Sequence, residues 1–289
     1  MPTTTELTDS SAGTLELGED IKVRRLGFGA MRITGEGVWG PPKDPAEARA
    51  VLRRVAEVGI NLIDTADSYG PEVSEDLIAE VLHPYDGMTI ATKGGLERTG
   101  PGEWPRNGHP DHLKQACEES LRRLRVDQID LYQLHSPDDA VPYEDSVGAI
   151  KELQDEGKVR RVGTSNVSVD QLEQARQVVE VVSVQNRFNL GDRDSEDVLD
   201  RCEELDICFF PWFPLAAGDL AKPGGTAAEV ADAHGASTGQ IALAWLLRRS
   251  PVIVPIPGTS SVEHLEENVA ATEVELTDEE FEQLSRAGD

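Results

Sequence analysis

Four residues of different chemistry fall at one kind of place in this chain, the polar end of a short apolar run. Asp64 closes INLID, and Tyr69 follows five residues later in NLIDTADSYG. Lys93 closes MTIATK, and His135 follows IDLYQL. Brought to one rim they form a proton-donating group. A phenol is a poor acid near neutrality, with a pKa of about 10, but a neighbouring ammonium stabilises the phenolate and lowers that value. Asp64 can hold Lys93 charged and in place through an ion pair. His135 can hydrogen-bond the phenol or the oxygen that receives its proton. Taken singly, each has a plainer explanation: a surface lysine, a rim histidine, an aspartate capping a turn, a tyrosine that packs. Their joint occurrence around three successive strand ends favours a site.

Other chemistries fit less well. His83, His109, His112, His234 and His264 lack paired spacing, and Cys117, Cys202 and Cys208 show no ligand pattern, so no metal is expected. There is no GxSxG elbow for a serine nucleophile. A Schiff-base role for Lys93 is disfavoured, because an ion pair with Asp64 keeps the amine protonated.

The elements that would position this group alternate along the chain. VRRLGFGA, INLIDTA, MTIATK, IDLYQLH, KVRRVGTS, VVSVQNR, ICFFPWF and PVIVPIPG read as strands, with amphipathic stretches between them. Eight strands, each followed by helix, predict a (β/α)8 TIM barrel, whose sites lie at the C-terminal ends of the strands. Helix signals agree: Asp44-Pro45 as N-cap and N1, Ser168 and Ser195 before acidic first turns, and Gly59, Gly157 and Gly235 closing their helices. TLELGEDIKV predicts a β-hairpin capping the barrel floor. The rival doubly wound sheet lacks its glycine fingerprint, since LGFGAM has only two glycines and no suitably spaced acid beyond. Residues 1–13 read as a disordered tail ahead of a single barrel domain, 14–289. Two Gly/Pro-rich loops, 35–44 and 94–110, follow the first and third barrel strands and are candidate walls of a pocket.

Composition narrows the partners. The 289 residues carry 54 acids against 27 lysines and arginines, a formal charge of -27, which disfavours nucleic acid and anionic membranes. The acids fall on helix faces and loop edges as a hydrated shell, and a halophilic source is expected. Reduced cysteines, no signal segment and no membrane-length apolar run point to a cytoplasmic protein.

With these residues placed, the sequence resembles the aldo-keto reductase superfamily from about residue 14 to 286. The resemblance runs through LGFGAM, NLIDTADSYG, ATKGG, IDLYQLH, KVRRVGTSN, VSVQNRFN, PWFPLAAG and IPGTSSVEHLEEN. It implies an NAD(P)H-dependent carbonyl reductase without metal. Hydride comes from nicotinamide C4, Asp64, Tyr69, Lys93 and His135 form the catalytic tetrad, and Tyr69 is the general acid. It also implies cofactor contacts. Gly29, Ala30 and Met31 border the cofactor, and Ser165, Asn166 and Gln185 hold the carboxamide. Trp212 replaces an aromatic, commonly Tyr, that stacks on the nicotinamide. Phe213, Leu215 and Gly218 cover the pyrophosphate. Pro257, Gly258, Thr259, Ser260, Ser261, His264, Glu267 and Asn268 match the adenosine end.

One departure matters. Where many relatives grip the 2′-phosphate of NADPH with Lys or Arg, this chain has Gly258, Ser261 and His264. NADP(H) is the expected cofactor and NAD(H) the alternative, with the N-terminus of the helix near Ser261 offering N–H groups to an anion. Met31, Trp39 and Trp104 are expected to border the substrate, an aldehyde or ketone. VWGPP, PWFPLAAGDL and IPGTSSVEHLEEN resemble the bacterial and archaeal branch that includes pyridoxal reductases, which implies reduction of pyridoxal to pyridoxine. A broad aldehyde or sugar reductase is the alternative, followed by a slow-turnover NADPH-binding regulatory subunit. A monomer is expected.

Overall fold

The computed structural model describes residues 6–8, 11, 13–215 and 225–287. The chain opens with an antiparallel hairpin, β1 (Thr14–Leu17) and β2 (Ile21–Arg24), with Leu17 opposite Ile21. The turn passes through Gly18 at φ +69, a conformation that a side chain would oppose. Part of VRRLGFGA therefore belongs to the hairpin, and the first barrel strand is only β3 (Phe28–Gly29). There follow β4 (Leu62–Asp64), β5 (Thr89–Gly94), β6 (Ile129–Leu134), β7 (Val159–Ser165), β8 (Val181–Gln185) and β9 (Cys208–Phe209). All seven pair in parallel with their sequence neighbours.

The eighth position is the extended segment 252–257, which closes the ring. On one side Phe209 N–H donates to Val252 O and Val254 N–H to Phe209 O, each at 2.9 Å. On the other, Gly27 N–H donates to Pro255 O at 2.9 Å and Gly29 N–H to Pro257 O at 3.3 Å. The expected (β/α)8 barrel is the fold, with the hairpin beneath it.

Helices α1 (Pro45–Glu57), α2 (Val73–Leu82), α3 (Pro110–Leu124), α4 (Tyr143–Asp155), α5 (Val169–Val178), α6 (Glu196–Glu204), α7 (Thr226–His234), α8 (Thr238–Arg249), α9 (Val262–Ala270) and α10 (Asp278–Ala287) accompany the strands. Asp44 caps α1 by accepting from Ala46 and Glu47 N–H, while Ser168 and Ser237 form full capping boxes. Ser195 makes no side-chain cap; its hydroxyl accepts from Asn186 Nδ2 instead, at 3.3 Å. Helix α10 is missing from the sequence reading, although Thr277 and Glu280 form its reciprocal capping contacts.

Strand alternation explains which side chains reach the interior. Leu62, Ala91, Leu131, Val182, Phe210, Val254 and Ile256 pack with Leu17, Ile21 and Val23 of the hairpin in one buried cluster. Their strand neighbours Ile63, Ile90 and Tyr132 pack instead with residues of the surrounding helices. Two residues beyond Leu62 and Ala91, on the same faces, stand Asp64 and Lys93; Gln133 and His135 continue the file of Leu131. Apolar floor and polar mouth are thus one set of strand faces read upward. Of the expected disordered tail, residues 1–5, 9, 10 and 12 lie outside the described residues. Leu7 is buried among Val55, Val58 and Ile60, with its N–H donating to Val58 O at 2.7 Å, so this apolar residue is docked rather than loose.

Candidate active site

Lys93 is wholly buried, and Asp64 nearly so. The ammonium Nζ donates to Asp64 Oδ2 at 2.6 Å, to Thr65 O at 2.8 Å and to Tyr69 Oη at 3.4 Å. Asp64 Oδ1 accepts from Gln185 Nε2 at 2.8 Å and Gln133 Nε2 at 3.1 Å, which fixes the carboxylate from its other side. The loop after β4 carries Tyr69 back over the rim, with its N–H donating to Ala66 O and its ring edge-on to His135, centroids 5.8 Å apart. His135 Nδ1 lies 3.4 Å from Ser68 Oγ.

The electrostatics make the phenol a proton holder at neutral pH. Burial raises the Tyr69 pKa and outweighs the Lys93 charge, which pulls it down, so the net lowering expected from the sequence is reversed. Burial alone would lower Lys93, but Asp64 and Tyr69 raise it above the ordinary amine. Burial, helped by the Lys93 charge, drives His135 well below the usual imidazole, so its ring is neutral. The arrangement can donate a proton from the phenol while an ammonium behind it stabilises the phenolate left behind.

Above this cluster opens a cavity of about 550 Å³. Asp64, Tyr69 and His135 form part of its base, and Gly29, Met31, Ser165, Asn166, Gln185, Trp212, Phe213, Leu215, Pro257, Gly258 and Trp104 line it further out. The polar groups are interlocked. Asn166 Nδ2 donates to His135 O at 2.9 Å and to Ser165 Oγ at 3.1 Å, and Ser165 Oγ donates to Gln185 O at 2.7 Å. Trp212 Nε1 donates to Asn166 Oδ1 at 3.0 Å, which anchors the indole at the cavity edge. Asn166 and Phe213 hold φ of +58 and +60, and for a bulky Phe that conformation is uncommon enough to mark strain at the rim. An amide, a hydroxyl and a second amide on adjacent strand ends, beside an indole, suit a carboxamide-bearing aromatic ring.

Other sequence candidates lie elsewhere. Ala30 is buried behind the lining, and Gly218 is outside the described residues. Trp39 does not line the cavity; Gly37 and Val38 do, while Trp39 is the exposed large hydrophobic of that loop. Thr259 and Ser260 precede α9, Ser261 caps it, and His264, Glu267 and Asn268 lie along it, all beyond the lining. That helix end offers fewer free N–H groups than expected. Ser261 N–H donates to Thr259 Oγ1, His264 N–H to Ser261 Oγ, and Val262 N–H to Glu47 Oε1 at 3.1 Å. A carboxylate already occupies this end of the dipole.

Sequence reasoning missed Gln133 and Arg32. Gln133 was available from alternation, standing two residues before His135 on one strand face. Arg32 lines the cavity mouth, exposed, with no ion-pair partner among the described residues. A Cβ placed on Gly258 would lie only 2.6 Å from Gly29 O, so the glycine permits the close approach of the neighbouring strand end, and Arg32 Cγ stands beside it at 3.4 Å, an ordinary contact.

Fold and site together define a (β/α)8 enzyme whose polar cluster and cavity share the C-terminal rim. The chain belongs to the aldo/keto reductase family, whose model matches residues 25–289. It is 54% identical over 279 residues to an uncharacterized oxidoreductase of Schizosaccharomyces pombe, covering 96% of this chain and 91% of that protein. It is 41% identical over 277 residues to pyridoxine 4-dehydrogenase of Escherichia coli, covering 93% and 96%. Among solved structures, an aldo-keto reductase from Klebsiella pneumoniae in complex with NADPH matches with a TM-score of 0.80 at 28% identity, over 94% of each chain. Among the described residues no helix is long and apolar enough to cross a membrane, and no cluster of His, Cys, Asp and Glu could hold a metal.

Proposed function

We propose that this aldo/keto reductase uses NADPH to reduce an aldehyde, with pyridoxal as substrate and pyridoxine as product. The observation that carries the reading is the buried ammonium of Lys93, bonded to Asp64 on one side and Tyr69 on the other beneath a largely apolar cavity. When bound, the cofactor supplies a hydride to the carbonyl carbon. Tyr69 gives its phenolic proton to the carbonyl oxygen, so the C=O becomes CH–OH and the phenolate rests against Lys93 until it is reprotonated from solvent. Neutral His135 orients the carbonyl oxygen by hydrogen bonding and adds no competing charge. Asp64, pinned by Gln133 and Gln185, keeps Lys93 in place. Ser165, Asn166 and Gln185 would hold the carboxamide of the cofactor, and Trp212 would flank its nicotinamide. Arg32, which lines the cavity, would meet a phosphate of the cofactor and supply the cation absent from residues 258–268, which supports NADPH over NADH. Pyridoxal is supported by the relative named for pyridoxine and by a cavity walled by Trp104, whose ring is edge-on to Tyr69 at 6.3 Å.

The test follows nicotinamide absorbance with pyridoxal and with simple aldehydes, using each cofactor. Tyr69→Phe is expected to lower kcat by about 10²–10⁴-fold with NADPH binding retained, the usual scale for a lost general acid. A near-normal kcat would remove Tyr69 from its role. The wild-type rate should fall only on the far alkaline side, beyond the ordinary tyrosine range, as the phenol held up by burial loses the proton it must donate. Turnover of simple aldehydes without pyridoxal would favour the broad reductase, and tight NADPH binding without turnover the regulatory subunit.

A further inference from the structure

Arg98 stands in the loop after β5 and takes no part in the proposed proton transfer. Its Nε donates to Glu103 O at 2.9 Å, Nη1 to Val38 O at 2.7 Å and Ser68 O at 3.0 Å, and Nη2 to Gly37 O at 2.8 Å and Gly100 O at 3.2 Å. A guanidinium has five N–H donors, so this fork is saturated. Every acceptor is a backbone carbonyl, and the acceptors come from three loops: the one after β3, the one after β4 just before Tyr69, and Arg98's own. The guanidinium carbon lies 3.6 Å from the ring centroid of Trp104 and 5.7 Å from that of Trp39. No carboxylate among the described residues pairs with it, although Arg49, Arg54 and Arg201 on the same protein all do so. A saturated fork cannot also receive an anionic substrate. What remains for it is position.

We propose that Arg98 is a positioning residue: it joins the three loops into one wall and holds Trp104 as the flat side of the carbonyl pocket, so that planar aromatic aldehydes are selected over small aliphatic ones. The wall is further knitted by Gly40 N–H donating to Gly70 O at 2.5 Å and Gly102 N–H to Gly37 O at 3.0 Å. Val38, Leu96 and Trp104 face the cavity from this wall, and Tyr69 lies one residue beyond a carbonyl that Arg98 holds. Lysine could not substitute. It keeps the charge but has three donors from one point and no plane to lie on an indole.

The substrate arm rests on the carbonyl-reductase reading; the wall does not, and the experiment separates them. Arg98→Lys and Arg98→Met are compared with wild type on a planar aromatic and a small aliphatic aldehyde, alongside NADPH affinity and amide hydrogen exchange. In both variants KM for the aromatic aldehyde should rise about tenfold, the scale of one lost pocket contact. Its kcat, the NADPH Kd and the aliphatic kcat/KM should be little changed. Amides of Gly40 and Gly102 should lose protection together, an outcome that needs no turnover. An unchanged aromatic-to-aliphatic ratio, equal losses on both aldehydes, rescue by lysine, or an exchange change confined to residues 94–108 would each overturn the proposal. A wild type inactive on every aldehyde would sink the reaction reading and the selectivity with it, while the exchange data still decide the wall.

Discussion

Lys93 and Arg98 are neutralised in opposite ways. Lys93, on β5, has a single carboxylate at 2.6 Å and one carbonyl at 2.8 Å, which leaves its remaining contact for a phenol at 3.4 Å. Arg98, five residues later in the loop, meets five carbonyls and no acid among the described residues. A counter-ion concentrates the neutralising charge at one point, so the ammonium stays able to respond when the adjacent phenol changes charge. Five dipoles spread it over three loops, so the guanidinium fixes geometry and has nothing left to give. The first cation is arranged for chemistry and the second for shape.

The comparison breaks first at Lys93. Lys93→Met leaves the Asp64 carboxylate buried without its cation, a defect that typically costs about 3–5 kcal/mol. Thermal melting should show a large fall, with part of it restored in the Asp64→Asn/Lys93→Met double variant and no recovery of turnover. Arg98→Met should melt well above Lys93→Met, because carbonyls released at the cavity mouth can turn to water. If Arg98→Met is the less stable of the two, the distinction between a charge pair and a dipole cage fails.

Arg32 sharpens the comparison from the other side, since among the described residues it has neither counter-ion nor cage. An exposed arginine without such a partner, in a chain of net charge -27, is available to an anion. Arg32→Ala should weaken NADPH by about tenfold, at the low end for a charged hydrogen bond, and NADH by less, as read from the two Kd values. Equal losses would place the contact on the pyrophosphate that both cofactors carry.

These three cations also show what the sequence could disclose. Lys93 was legible because it ends a strand: once eight strands are counted, period-two alternation carries the face of Leu62 to Asp64 and of Ala91 to Lys93. The barrel and its floor hairpin were legible for the same reason, from alternating runs, Gly turns and helix caps. Arg98 was hidden because its partners are backbone carbonyls, which every residue has, brought together by loops without periodicity. Arg32 was hidden because it shares the cavity with Gly258 and its neighbours, distant in sequence and adjacent only once the barrel closes. Trp39 was misjudged by the same limit. Composition placed an aromatic in the right loop, but the loop's path put Gly37 and Val38 at the cavity and the indole outside.

Asp67 supplies a third treatment of a buried charge, and the smallest expected effect. The residue is half-buried, but its Oδ1 is sealed from solvent and lacks a hydrogen-bond partner among the described residues. With neither a counter-ion in contact nor dipoles on that oxygen, the remaining way to avoid the charge is to keep the proton. Burial, reinforced by Glu75 and opposed by Arg123, pushes its pKa up to about 8. The unfolded chain titrates this group near 3.9, so the folded state holds an extra proton between the two values. That contribution to stability is complete below the unfolded value and is lost as pH rises through about 8. Asp67→Asn removes the titration without changing the shape. The difference in Tm, variant minus wild type, should therefore grow in favour of the variant between about pH 5 and pH 9, measured at fixed salt. A difference that stays constant over that range would mean the carboxylate is already ionised in the fold, and that Arg123 serves Asp67 as Asp64 serves Lys93.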